Sequence, residues 1–121
     1  MPHGLTIDHN NNIWLTDVGL HQVFKFNLHY SLKPLLTLGT RFLKSTSENN
    51  FCKPTSVAIS EKNEDIFVAD GYCNSRVIQF NKNGEFIKEF TDSEQPLIVV
   101  HSLALLEDKN LICTVSREEG R

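Results

Sequence analysis

Seven consecutive residues, Asp70-Gly71-Tyr72-Cys73-Asn74-Ser75-Arg76, bring together an acid, a phenol, a thiol, an amide and a guanidinium. Reactive groups at such density between two apolar runs suit a binding or catalytic loop carried on rigid strands. A phenol such as Tyr72 can relay protons when a metal or an arginine sits close by. Otherwise it is an ordinary loop aromatic, and Gly71 merely supplies an unusual backbone angle in a connection between antiparallel strands. Two histidines, His3 and His101, each precede a small residue and an alternating apolar run. They are either polar residues at strand starts or ligands of one metal, each imidazole offering a nitrogen at about 2.0 Å from zinc. Arg117 stands in the third unit close to where Tyr72 stands in the second. Arg76 and Arg121 read instead as structural contacts between units, and His9, His21 and His29 as solvent-facing residues.

The elements that must position these groups repeat. Pro2-His3-Gly4-Leu5-Thr6-Ile7, Pro54-Thr55-Ser56-Val57-Ala58-Ile59 and Val100-His101-Ser102-Leu103-Ala104-Leu105 share one pattern. Each leads into a second apolar run: Ile13-Trp14-Leu15-Thr16-Asp17, Ile66-Phe67-Val68-Ala69-Asp70 and Leu111-Ile112-Cys113-Thr114-Val115-Ser116. Third runs follow at 22–26 and 76–80, and fourth runs at 34–38 and 85–90. The spacing is 52 residues from His3 to Thr55 and 46 from Thr55 to His101. Four short strands at a period near 40 to 50 residues are the mark of β-propeller blades. Turn formers such as Asn10-Asn11-Asn12 and Asn83-Gly84 separate the runs, and no segment reads as a helix.

The expected fold is therefore an all-β propeller fragment of about two and a half blades. The blades run over 1–42, 52–92 and an incomplete 98–121, with a polar loop at 43–51. Trp14, Phe24, Phe67 and Phe80 are expected to fill the space between blades. Propellers close through at least four blades, so the chain reads as part of a larger ring with a bare strand edge. First strands of different blades face one central channel, which would bring His3 and His101 together. The entry to a first strand and the exit of a second reach the same rim, so a Cys52–Cys73 disulfide is geometrically allowed. A bridge of that span contributes about 3 kcal/mol and belongs to an oxidising compartment.

Composition narrows the classes. A net charge of −3 argues against a non-specific nucleic-acid binder. No apolar run approaches the roughly 20 residues of a membrane span, and the opening Met1-Pro2-His3-Gly4 does not read as a signal peptide. No acidic cluster of a calcium-dependent lactonase propeller is seen. A non-catalytic propeller piece serving as a protein-interaction module stays open as the alternative to an enzyme.

Taken together, these residues resemble the lyase domain of peptidyl-glycine α-amidating enzymes, within the NHL-repeat propellers. The resemblance is carried by His3-Gly4-Leu5-Thr6-Ile7-Asp8 through Trp14-Leu15-Thr16-Asp17-Val18, by Phe51-Cys52-Lys53-Pro54-Thr55, by Ala69-Asp70-Gly71-Tyr72-Cys73-Asn74-Ser75-Arg76 and by His101-Ser102-Leu103-Ala104-Leu105. It implies a six-bladed propeller of the secretory pathway that cleaves peptidyl-α-hydroxyglycine to a peptide amide and glyoxylate. It implies that His3 and His101 are two of three zinc ligands and that Leu5 offers its backbone carbonyl to a structural calcium. Tyr72 would be the catalytic tyrosine and Arg117 an active-site arginine. Cys52 and Cys73 would form one disulfide and Cys113 half of a second. A copper monooxygenase domain, as partner or neighbour, would make the substrate. The third zinc histidine and a further arginine of the family have no counterpart here, and Ser116 replaces the aspartate seen at Asp17 and Asp70. The expectation is a chain inactive on its own.

Overall fold

The computed structural model describes residues 1–120; Arg121, with its expected structural contact, lies outside the described residues. Ten strands form three antiparallel sheets. Blade 1 is β1 (Pro2–Ile7), β2 (Ile13–Asp17), β3 (Gln22–Asn27) and β4 (Ser31–Leu38), in chain order across the sheet. Blade 2 repeats this with β5 (Ser56–Ile59), β6 (Ile66–Asp70), β7 (Arg76–Phe80) and β8 (Phe86–Phe90). Blade 3 has β9 (Val100–Leu106) and β10 (Leu111–Ser116). Two single 3₁₀ turns, Glu107–Lys109 and Arg117–Glu119, are the helical segments among the described residues. Up-and-down meanders of this kind, laid face to face, are the blades of a β-propeller.

The period-2 alternation of blade 2 decides the packing. Its Val57, Ile66, Val68, Ile78 and Phe80 turn toward blade 1 and meet Trp14, Val23 and Leu38. Its Phe67, Ala69 and Val77 turn the other way and meet Val100, flanked by Leu103, Leu105 and Ile112 of blade 3. All five residues of β6 are buried, as a strand covered on both faces requires.

Two residues depart from the simple pattern. Phe24 joins neither core; its neighbour Val23 takes the inward position, and Phe24 stacks obliquely on Phe26 at 6.1 Å on the alternate face. Phe51, assigned to a polar loop, has no exposed surface and packs edge-on against Phe80 at 5.9 Å. The 43–51 loop therefore ends in a core residue, and a Lys44–Phe51 bridge closes its neck.

Candidate functional site

Each blade ends its second strand in a polar residue that fastens the entry to its own first strand. Asp17 Oδ1 holds the Met1 amino group at 2.6 Å. Asp70 Oδ1 accepts the Cys52 N–H at 2.7 Å. Ser116 Oγ accepts the Ile98 N–H at 2.9 Å. The serine in the third unit thus keeps the fastening that the aspartates perform in the first two.

In blade 2 this fastening becomes a buried knot. Asp70 also accepts from Asn74 Nδ2 (2.7 Å) and Arg76 Nε (2.9 Å). Arg76 pairs with Glu89 at 2.8 Å and donates to the carbonyls of Thr46, Ser47 and Asn50. Its expected structural role is what these contacts describe: it binds the inter-blade loop to blade 2. Burial pushes the Asp70 carboxyl above its ordinary value, although Asn74, the Cys52 N–H and Arg76 all favour the ionised form.

Asp70 and Arg76 face each other across the β6–β7 ladder, so the connection 71–75 leaves and re-enters the sheet at one clamped pair. Cys52 and Cys73 form a disulfide, with Cα atoms 5.4 Å apart. Gly71 is needed for closeness rather than for an unusual angle, since its φ is not among the positive ones. A Cβ there would lie 1.7 Å from the Val100 carbonyl oxygen. The loop that carries Tyr72 is thereby pressed against the entry to β9.

The two histidines are aimed by irregular pairing. On β1 the register with β2 shifts between Pro2 and Leu5, leaving His3 and Gly4 out of the ladder. On β9 the register with β10 skips His101 between Val100 and Ser102. Such bulges redirect side chains and are common beside functional sites. The result joins residues of three blades. The His3 and His101 ring centroids lie 5.0 Å apart, and Tyr72 lies edge-on to both, at 5.4 and 5.9 Å. His3 Nε2 is 3.0 Å from the Tyr72 hydroxyl. The Arg117 guanidinium covers the Tyr72 ring at 5.3 Å and donates to its oxygen at 3.3 Å.

One assignment of protons satisfies this network. His3 Nδ1 lies 2.9 Å from the Thr55 carbonyl, which can only accept, so Nδ1 carries the hydrogen. Nε2 then offers a lone pair, and Tyr72 O–H donates to it while accepting from Arg117. Burial, His3 and the Arg117 charge all hold His101 below its ordinary value, favouring its neutral imidazole. The Glu118 carboxylate, 2.6 Å from Arg117, holds that guanidinium more firmly charged.

A metal-binding histidine commonly donates its other ring N–H to a carbonyl, as His3 does to Thr55. A neutral His101 with its ring against His3 suits the same use. The donor set thus fits zinc as two ligands. Among the described residues no group of three or more histidine, cysteine or carboxylate side chains is arranged for a metal. Leu5 lies on β1 opposite Leu15, its side chain largely exposed. Cys113 is a free, exposed thiol on β10.

Sequence reasoning missed one histidine. His21, expected to face solvent, is buried at a left-handed turn, and its Nδ1 accepts the Lys53 N–H at 3.0 Å. It ties the β2–β3 turn of blade 1 to the segment entering blade 2. His9 and His29 are exposed.

The NHL repeat family model matches residues 1–26 and 51–80. A Drosophila melanogaster protein named peptidyl-alpha-hydroxyglycine alpha-amidating lyase 2 is 47% identical over 123 residues, covering all of this chain and 30% of its own length. A probable peptidyl-alpha-hydroxyglycine alpha-amidating lyase of Caenorhabditis elegans is 46% identical, across the whole chain and 35% of its length. A peptidylglycine alpha-amidating monooxygenase of Rattus norvegicus is 44% identical, across the whole chain and 13% of its length. The chain thus spans about a third or less of the relatives it matches. Among solved structures, virginiamycin B lyase from Staphylococcus aureus superposes with a TM-score of 0.67 at 16% identity, covering 95% of this chain and 34% of that one. That likeness speaks for the fold alone. Over its whole length the chain is similar to proteins named as peptidyl-alpha-hydroxyglycine alpha-amidating lyases, and its sheets are blades of an NHL-type β-propeller.

Proposed function

We propose that the chain carries part of the active site of a zinc-dependent lyase that converts peptidyl-α-hydroxyglycine to a peptide amide and glyoxylate. The observation that carries this reading is the meeting of His3, His101, Tyr72 and Arg117, from three blades, around one point. The names of the relatives support the reaction class.

His3 and His101 would hold the zinc, which when bound lowers the pKa of a coordinated hydroxyl. Tyr72, in its deprotonated form, accepts the proton of the substrate α-hydroxyl. The Cα–O bond becomes the aldehyde carbonyl of glyoxylate as the Cα–N bond breaks. The departing nitrogen takes a proton, which Tyr72 is placed to return, and leaves as the carboxamide. Arg117 suits the substrate carboxylate, because a guanidinium grips two oxygens at once. Its positive charge, 3.3 Å from the Tyr72 hydroxyl, would also offset negative charge that develops there.

The rest of the assignment follows the same resemblance. Leu5 would give its carbonyl to a structural calcium, and Cys113 would be half of a second disulfide. The Cys52–Cys73 bridge is compatible with the secretory pathway. A copper monooxygenase, as neighbour or partner, would supply the hydroxylated glycine. With two histidines and about two and a half blades, the 121-residue chain alone should be inactive or nearly so.

The test is glyoxylate release from an α-hydroxyglycine peptide. A longer protein that adds further blades to these residues should release it and lose that ability on Tyr72→Phe, while the 121-residue chain releases none. Activity of the isolated chain would overturn its expected inactivity. An active Tyr72→Phe protein would overturn the role of Tyr72.

A further inference from the structure

His3 and His101 stand at equivalent places in blades 1 and 3. The equivalent place in blade 2 belongs to Thr55, which is 1% exposed. It stands just before the β5–β6 ladder, which runs without a shift from Ser56 opposite Ala69. Thr55 is buried and touches His3 and the segments that carry His101 and Tyr72.

Its carbonyl accepts from His3 Nδ1 at 2.9 Å, fixing the ring with Nε2 turned toward Tyr72. The Thr16 hydroxyl, which accepts the Gly4 N–H, also reaches that carbonyl. A Cβ on Gly4 would lie 2.6 Å from the same oxygen, so His3 reaches Thr55 only because its neighbour is glycine. The Thr55 hydroxyl lies 2.7 Å from the carbonyl of Val100, the fully buried residue just before His101. It lies 3.2 Å from the carbonyl of Ala69, and the Thr55 N–H bonds that oxygen at 2.8 Å. Ala69 leads directly into Asp70, Gly71 and Tyr72. Gly71 in turn rests on the Val100 carbonyl.

We infer that Thr55 is a positioning residue, setting His3 through its carbonyl and setting His101 and Tyr72 through its hydroxyl. The inference rests on reading those three residues as one site. Hydroxyl and carbonyl act on different partners, so the two arms can be separated. Thr55→Val keeps the shape and the carbonyl but removes the hydroxyl; Thr55→Ser keeps both polar groups.

The test is NMR on the metal-free, substrate-free 121-residue chain, with ¹⁵N-labelled histidine. In Thr55→Val the ring-to-ring cross-peaks of His101 with His3 and with Tyr72 should be lost. The His3 tautomer with hydrogen on Nδ1 should remain, and so should the indole N–H signal of Trp14, which is held by Asp8 in blade 1. Thr55→Ser should keep all of these signals. Cross-peaks that persist in Thr55→Val would overturn the inference. So would their loss together with the Trp14 signal, or their loss in Thr55→Ser, either of which marks a role in the fold at large. No metal or turnover enters this measurement, so a failed lyase assay leaves its outcome standing, and the reverse holds.

Discussion

The Tyr72 hydroxyl and His3 Nε2 meet at 3.0 Å although 69 residues separate them. The first comes from the loop after the second strand of blade 2, the second from a bulge on the first strand of blade 1. Only face-to-face blades bring those two places together, so this one contact reads the fold and the site at once. Tyr72→Phe keeps the ring between both imidazoles and removes one hydroxyl. It should cost at most about 1 kcal/mol of stability. In a longer, active protein carrying these residues it should lower kcat/KM by about 10²- to 10⁴-fold. Urea unfolding and a glyoxylate assay check the two halves.

Arg76 presents a different balance. Its side chain is 6% exposed and its partner Asp70 0%. Arg76→Ala strands a buried carboxylate and releases three loop carbonyls. Removing one partner of a buried pair costs about 3–5 kcal/mol, measured as a fall in the urea midpoint. The 43–51 loop should become open to proteolysis in the same variant. Arg76→Lys should not restore either property, because an ammonium cannot span Asp70, Glu89 and three carbonyls from one point.

The Cys52–Cys73 bridge closes a span of 21 residues around Asp70. Its reduction, or the double change Cys52→Ser and Cys73→Ser, should lower stability by about 3 kcal/mol. Unfolding curves with and without reductant measure this. The double variant should be insensitive to reductant.

His21 makes stability depend on pH. Burial first, then Lys53 and Lys44, holds it below its ordinary value of 6.5, against the opposing pull of Asp70 and Asp17. The unfolded chain therefore takes up this proton at a higher pH than the folded one. The contribution is complete above pH 6.5 and is lost as pH falls from there toward the folded value. A protonated ring also loses its bond from the Lys53 N–H, since Nδ1 then carries a hydrogen. The urea midpoint should fall between about pH 7.5 and about pH 5.5. His21→Asn, which tolerates the left-handed turn and can still accept, should flatten that part of the profile.

Much of this was legible in the chain. Repeated apolar runs at near-constant spacing predict the blades, and matched histidines at strand starts predict a shared channel. What was hidden depends on residues far apart. Nothing in Ser47-Glu48-Asn49-Asn50-Phe51 announces that Phe51 is sealed against Phe80. The Lys53 N–H that His21 accepts lies 32 residues on. Gly71 looked like a turn residue, whereas its role is the approach of Val100 from the next blade. Strand alternation gives the face toward blade 2 to Val23 and the opposite face to Phe24, and residue size alone cannot say which face meets blade 2. Thr55 was visible only as a departure from a histidine pattern, and its five polar contacts belong to the fold.

The central claim is that His3 and His101 form a zinc-binding pair beside Tyr72. Calorimetric titration of the 121-residue chain with zinc tests it most directly. The account predicts weak binding at one site, lost in His3→Ala and lost in His101→Ala, with both variants still folded. No binding by the unaltered chain, or binding that survives both substitutions, would contradict it.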